Sequence, residues 1–324
     1  MKRFKNILFV YSGNADANPS ALKQAMQLAA ANGGKLTVLT VLKKLSEDWH
    51  YKIPLERYLK EEVEKDVATA VEELRDTTSL EPHIVFASGE AFLQVIGRVL
   101  SDGHDLVVKA VENVSDRPSL GFPTTDMHLL RKCPCPLWLF KRPVNEHDEL
   151  RILAAIDPPM ERSADDGMAR MILQLGTSLT TMFDRASLEV LHCWELPYED
   201  TLRNSPFIRA SEEEIEEQIC SERKSHKQAI AEATASFTSE FDFKIDLTKG
   251  NPTEILPSRV SERGINLIVM GTVGRTGIQG LFIGNTAETV LSRVDCSVLA
   301  VKPEGFETPV RPAASVSSAS STVT

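Results

Sequence analysis

Short apolar runs alternate with longer stretches of helical spacing along almost the whole chain. Ile152 to Ile156 reads as a strand, after which Met168, Met171, Ile172, Leu175 and Leu179 recur at helical spacing. Leu188 to Trp194 is the next strand. Ser211 with Glu214 has the form of a capping box, opening a long helix marked by Ile215, Ile219, Ile230 and Phe237. The run EEEIEEQ then reads as the solvated start of that helix. Phe243, Ile245 and Leu247 alternate with polar residues, as in an exposed or edge strand. A helix near Thr253 to Arg263 follows, flawed by Pro257, then a buried strand from Leu267, a last helix beginning near Thr286 and a last strand, SVLAVK. The first half keeps this order, with strands expected near residues 7–11, 36–42, 83–87, 105–109 and 137–141.

The two halves are copies. FASGEAFLQVIGRVLSDGHDLVVKA, from Phe86, aligns with LTKGNPTEILPSRVSERGINLIVMG, from Leu247, at a constant offset of 161 residues. That offset puts Gly89 on Gly250, Gly103 on Gly264, Leu130 on Leu291, Cys135 on Cys296 and Lys141 on Lys302. NILFVYS matches RILAAID at an offset of 145, so the second half is about sixteen residues longer between its first and third strands. A repeated unit of five strands alternating with four helices implies a parallel, doubly wound α/β domain. We therefore expect two tandem domains, 1–144 and 149–304, each with a five-stranded parallel sheet of order 3-2-1-4-5 flanked by helices on both faces. Residues 305–324, rich in Ser, Ala, Val and Pro, read as a disordered tail.

Composition narrows the function. Hydrophobic residues make up 42% and charged residues 25%, an ordinary globular balance, over 324 residues, long enough for two cores. The net charge of −10 disfavours a nucleic-acid partner. ILFVY near the start is too short for a signal-peptide core, and no later run approaches a membrane span. Five cysteines suggest no disulfide framework, so a cytoplasmic protein without a membrane partner is expected.

The stretch with the most chemical character is GTVGRTGIQGLFIGNTAE, between a buried strand and a helix. Gly271, Gly274 and Gly284 are spaced G-x2-G-x9-G. Glycine permits positive φ and lets a ligand approach without a Cβ in the way. The first amides of a helix lack internal partners and attract phosphate. Asn285 and Thr286 offer side-chain hydrogen bonds, and Arg275 a charge for a terminal phosphate. The stretch is neither a Walker loop nor the tight dinucleotide fingerprint.

In this context the chain resembles the universal stress protein family, tandem two-domain type, over nearly all of residues 3–304. The matching pieces are AAID at Asp157, LHC at Cys193, KGNPTEIL, VMGTVGRTGIQGLFIGNTAE, CSVLAVKP, and in the first half HDLVVK and TTDMHLLRKCPCPLWLFK. The resemblance implies a nucleotide-binding α/β fold in which some members hold ATP, with or without Mg2+, on a G-x2-G-x9-G-[ST] loop. It would place Asp157 near the adenosine and Cys193 beside the adenine; Asn285 departs from the family's hydroxyl residue. It also implies that the two domains pair through their last strands, Leu137–Lys141 against Val298–Lys302, as an internal pseudo-dimer; further association of two chains is left open. In the first domain the loop has Ala110, Asn113 and Pro123 for the glycines and Ser12 for Asp157, so its ATP site is expected to be lost.

The expected function is thus a cytoplasmic stress-response protein, not an enzyme, binding ATP or a related nucleotide in its second domain. An adaptor or carrier for an elongated apolar ligand, and a slow ATP-hydrolysing enzyme, are the alternatives. No catalytic residue or metal site is indicated. Cys133 and Cys135 invite redox or metal chemistry, but structural use is the simpler reading, and His104, His128 and His192 at element edges read as satisfied or solvent-facing.

Overall fold

The computed structural model describes residues 4–12, 17–44, 48–112, 122–141, 149–160, 167–183, 185–208, 210–273 and 283–311. The first domain runs β1 (Asn6–Tyr11), α1 (Asn18–Asn32), β2 (Lys35–Leu42), α2 (Lys52–Glu73), β3 (His83–Ser88), α3 (Ala91–Asp102), β4 (Leu106–Ala110), α4 (Thr124–Lys132) and β5 (Leu137–Phe140). The second runs β6 (Leu150–Ala155), α5 (Gly167–Met182), β7 (Ala186–Trp194), α6 (Glu199–Asn204), α7 (Glu212–Thr238), β8 (Lys244–Lys249), α8 (Pro252–Glu262), β9 (Leu267–Gly271), α9 (Asn285–Arg293) and β10 (Ser297–Val301). Each domain has the expected order 3-2-1-4-5, all parallel. α6 is an addition to the expected pattern and accounts for part of the extra length after β7.

The duplication is visible in the backbone. Gly89 and Gly250, which join an edge strand to a helix, have φ of 132° and 137°. Gly103 and Gly264, at the ends of α3 and α8, have φ of 68° and 59°. A side chain at any of the four would be strained, which is why glycine recurs at the 161-residue offset.

Strand alternation divides the core into two layers. Ile7, Phe9, Ile152 and Val269 face α1, α2, α5 and α7, while Leu8, Val10, Leu153 and Ile268 face α3, α4, α8 and α9. Both layers run through the two domains, because β5 and β10 pair antiparallel, Val298 opposite Leu139 and Ala300 opposite Leu137, into one ten-stranded sheet. The expected pseudo-dimer is therefore a continuous sheet.

Each last strand also sends a lysine across the junction. Lys141 Nζ donates to Val294 O at the end of α9 (2.8 Å), and Lys302 Nζ to Leu130 O in α4 (2.7 Å). Cations at helix carboxyl ends satisfy carbonyls that the helix leaves without partners. Pro257 sits inside α8 without ending it. The Thr253 carbonyl that it cannot serve accepts instead from Arg293 of α9 at 3.3 Å. After β10 the chain does not leave the body at once: Phe306 lies under the Lys302 ammonium and Val310 packs on the α3–α4 layer. Residues 312–324 of the expected tail fall outside the described residues.

Candidate functional site

In the second domain β6 has β7 on one side and β9 on the other, so the strand order reverses at the carboxyl ends of β6 and β9. Such a reversal leaves a crevice between the outgoing loops. Asp157 lies two residues beyond β6 on one lip, Gly271 ends β9 on the other, and Cys193 stands near the end of the adjacent β7. The structure thus gathers Asp157, Cys193, Gly271, Gly284, Asn285 and Thr286 at one end of the sheet. Gly274 and Arg275 lie outside the described residues.

The two ends of the loop are tied together at its base. Thr272, fully buried, donates its amide to Val301 O (3.1 Å), and its carbonyl accepts from the Gly284 amide at 2.9 Å. Gly284 is the N-cap of α9, and its carbonyl takes the Glu288 amide at 2.9 Å. A glycine at that position has no oxygen with which to cap the amides of the first turn. Asn285 and Thr286 are exposed there, and Asn285 has a donor of its own in place of a hydroxyl.

Neither Gly271 nor Gly284 has a positive φ; Gly284 is extended at φ −64°. A Cβ on Gly271 would come within 3.1 Å of Met168 Sδ at the start of α5, so this glycine makes room for a protein side chain. Among the described residues no side chain caps the helix that Gly284 opens.

Asp157 is exposed and lies 3.9 Å from His192 Nδ1. That nitrogen is 3.2 Å from Ile156 O, and Nε2 is 2.8 Å from His226 Nδ1 on α7. The His226 ring stacks on Trp194, and burial pushes its pKa below the ordinary value. Among the histidines, His192 is satisfied as expected but buried. Its link to His226 was missed; the available signal was its place in the inward-facing register of Leu188 and Val190. Cys193 is half-buried against the layer of α8 and α9, and burial pushes its thiol up to about 12, so it is neutral.

The same end of the first domain is built differently. Ser12, at the position of Asp157, donates its amide to Asn18 Oδ1 and its hydroxyl to Ala110 O. Lys109 Nζ, buried, lies 2.9 Å from Asp126 Oδ1 and donates to Ala110 O at 3.1 Å. Asp126 is in the first turn of α4, fully buried, and burial raises its pKa while Lys109 pulls it down. At the 161-residue offset these two residues replace Met270 and Ala287, so a buried carboxylate in the first turn of α4, with its counter-ion on β4, stands where the second domain has two apolar side chains. Ala110 is buried at the end of β4, and Pro123 is the N-cap of α4. Two surface hollows, one lined by Phe92, Lys132 and Val310 and one by Val260, Asn266 and Cys296, lie away from both crevices.

Comparison with known proteins agrees with this architecture. The model of the universal stress protein family matches twice, over residues 3–141 and 149–302. The universal stress protein E of Escherichia coli is 27% identical over 322 residues, covering 96% of this chain and 98% of that protein. The Haemophilus influenzae homologue of universal stress protein E is 30% identical over 227 residues, 69% of this chain and 70% of that one. Among solved structures, a Pseudomonas aeruginosa protein assigned to the same family superposes with a TM-score of 0.66 at 22% identity, covering 94% and 95% of the two chains. A universal stress protein from Archaeoglobus fulgidus does so with a TM-score of 0.63 at 17% identity, over 92% and 98%. With one family unit in each half and the two joined in a single sheet, the chain belongs to the universal stress protein family in its tandem form.

Proposed function

We propose that this is a cytoplasmic stress-response protein that binds ATP or a related nucleotide in its second domain, as a ligand and not as a substrate. The observation that carries this reading is the contrast between the first turns of α9 and α4. Neither has a side-chain cap among the described residues, but the first-turn carboxylate of α9, Glu288, is part-exposed and pairs with Arg131, whereas that of α4, Asp126, is fully buried beside Lys109. Amides at a helix start hold anionic oxygens through both hydrogen bonds and the helix dipole. In this reading Asn285 and Thr286 add side-chain donors, Asp157 accepts from a ribose hydroxyl, and the neutral Cys193 gives the base an apolar wall. Gly274 and Arg275 complete the phosphate loop in this reading, and any Mg2+ would arrive on the phosphates.

Replacing Gly284 with Asp tests the assignment. A carboxylate at the N-cap satisfies the first-turn amides itself and repels phosphate, so Gly284→Asp should weaken ATP binding at least about a hundredfold with an unchanged circular-dichroism spectrum. Equal affinity of the variant and the parent by calorimetry would refute the site. Phosphate release from ATP faster than in buffer would refute the non-enzymatic part.

A further inference from the structure

α4 and β5 are joined by Cys133-Pro134-Cys135-Pro136. Residues two apart on an extended chain project to the same side, and here the two sulfurs lie 3.7 Å apart. Lys302, from the last strand of the other domain, brings its buried ammonium to the same turn, 2.7 Å from Leu130 O and 3.5 Å from Arg131 O. A hydrogen bond from one thiol and the charge of a neighbouring ammonium both favour a thiolate. Cys133 is accordingly held below the usual thiol range by Cys135 first and, against the penalty of burial, by Lys302 as well. Burial pushes Lys302 down to about 8, with Cys133 opposing the shift.

The second domain provides an internal comparison. At the 161-residue offset it has Val294 for Cys133, Cys296 for Cys135 and Lys141 for Lys302, and Lys141 caps its helix in the same way. Turn, lysine cap and buried packing are all made there with one thiol. Packing at the first position therefore needs only an aliphatic group, and the second sulfur of the first domain is surplus to it.

We propose that Cys133 and Cys135 form a redox-active dithiol that a hydroperoxide closes to a disulfide. A thiolate attacks the peroxide O–O bond, giving a sulfenic acid and releasing the alcohol, or water from hydrogen peroxide. The other thiol then attacks the sulfenic sulfur and expels water. Two thiols and one hydroperoxide thus give one disulfide, one alcohol and one water, and a thiol reductant reopens the bond through a mixed disulfide. Peroxide reaches the pair from the side of Cys135, which is half-buried, whereas Cys133 is fully buried. The sulfurs then close to about 2.05 Å.

The test exposes the full chain to hydrogen peroxide, quenches with an alkylating reagent in denaturant and maps the peptides. The expected result is a peptide containing Cys133 and Cys135 that takes no label, is about 2 Da lighter, and regains both labels after dithiothreitol. Cys133→Val, which copies the second domain, should retain label on all its cysteines, and Lys302→Met should slow closure at least about threefold. Full labelling of Cys133 and Cys135 in the peroxide-treated parent protein, or oxidation confined to exposed Cys220, would overturn the proposal. The parent protein alone gives this answer if a variant fails to fold.

Discussion

Lys109 and Asp126 are two side chains that distinguish corresponding positions of the two domains. Removing one member of a buried ion pair leaves an uncompensated charge, which costs roughly 3–5 kcal/mol, whereas replacing both with apolar residues of suitable size is often neutral. The second domain already demonstrates the apolar version with Met270 and Ala287. Lys109→Met alone should therefore lower the stability of the first domain by about 3 kcal/mol or more, and adding Asp126→Ala should restore most of the loss. Urea unfolding of the two single variants and the double variant measures this. Additive losses would mean that the pair is not coupled as the 2.9 Å contact indicates. At this scale the sequence was legible where a residue type is nearly forced, as at Gly89 and Gly250 with their large positive φ. It was not legible at Lys109: a lysine near the end of a strand ordinarily reaches water, and only the fold shows Asp126 beside it.

The elements followed from pattern because the inner strands are short, continuously buried apolar runs and most helices bury one regular face. The capping box at Ser211 and Glu214 is present with both hydrogen bonds, and β8 is an edge strand, as its alternation suggested. α6 escaped because its six residues bury nothing; it is held by charge, with Arg203 meeting Glu199, Glu212 and Glu216, and Lys249 also reaching Glu199. Ion pairs between distant segments leave no period to read. The contact between β7 and α7 carries a pH dependence through His226, which His192, Glu222, Asp157 and Trp194 face. Burial holds its folded pKa below that of the unfolded chain, so the unfolded state takes up a proton first as the pH falls. Its contribution is thus fully present above the unfolded value of about 6.5 and is lost as pH falls through the folded pKa. His104 and His128 are shifted the same way and add to the trend. The parent protein should therefore lose more thermal stability between about pH 7.5 and about pH 5 than His226→Gln does. Parallel melting-temperature profiles for the two proteins would exclude His226 as a source.

Across the whole molecule, one sheet and two reciprocal lysine caps give the halves a nearly symmetric frame, while the chemistry at their crevices has diverged. The repeat was readable because glycines, lysines and apolar registers recur at one offset. The candidate site was readable only in part: the glycine spacing marked the loop between β9 and α9, but neither Gly271 nor Gly284 has a positive φ, and Met168 lies where a Cβ on Gly271 would be. A tandem chain with two intact sites would take up two nucleotides, and one whose crevices are both filled from within would take up none. The most direct measurement is a calorimetric titration of the full chain with ATP that reads the number of sites. Close to one ATP per chain is expected, with binding weakened at least about a hundredfold by Gly284→Asp. Two equivalent sites, or no heat at millimolar ATP, would contradict it.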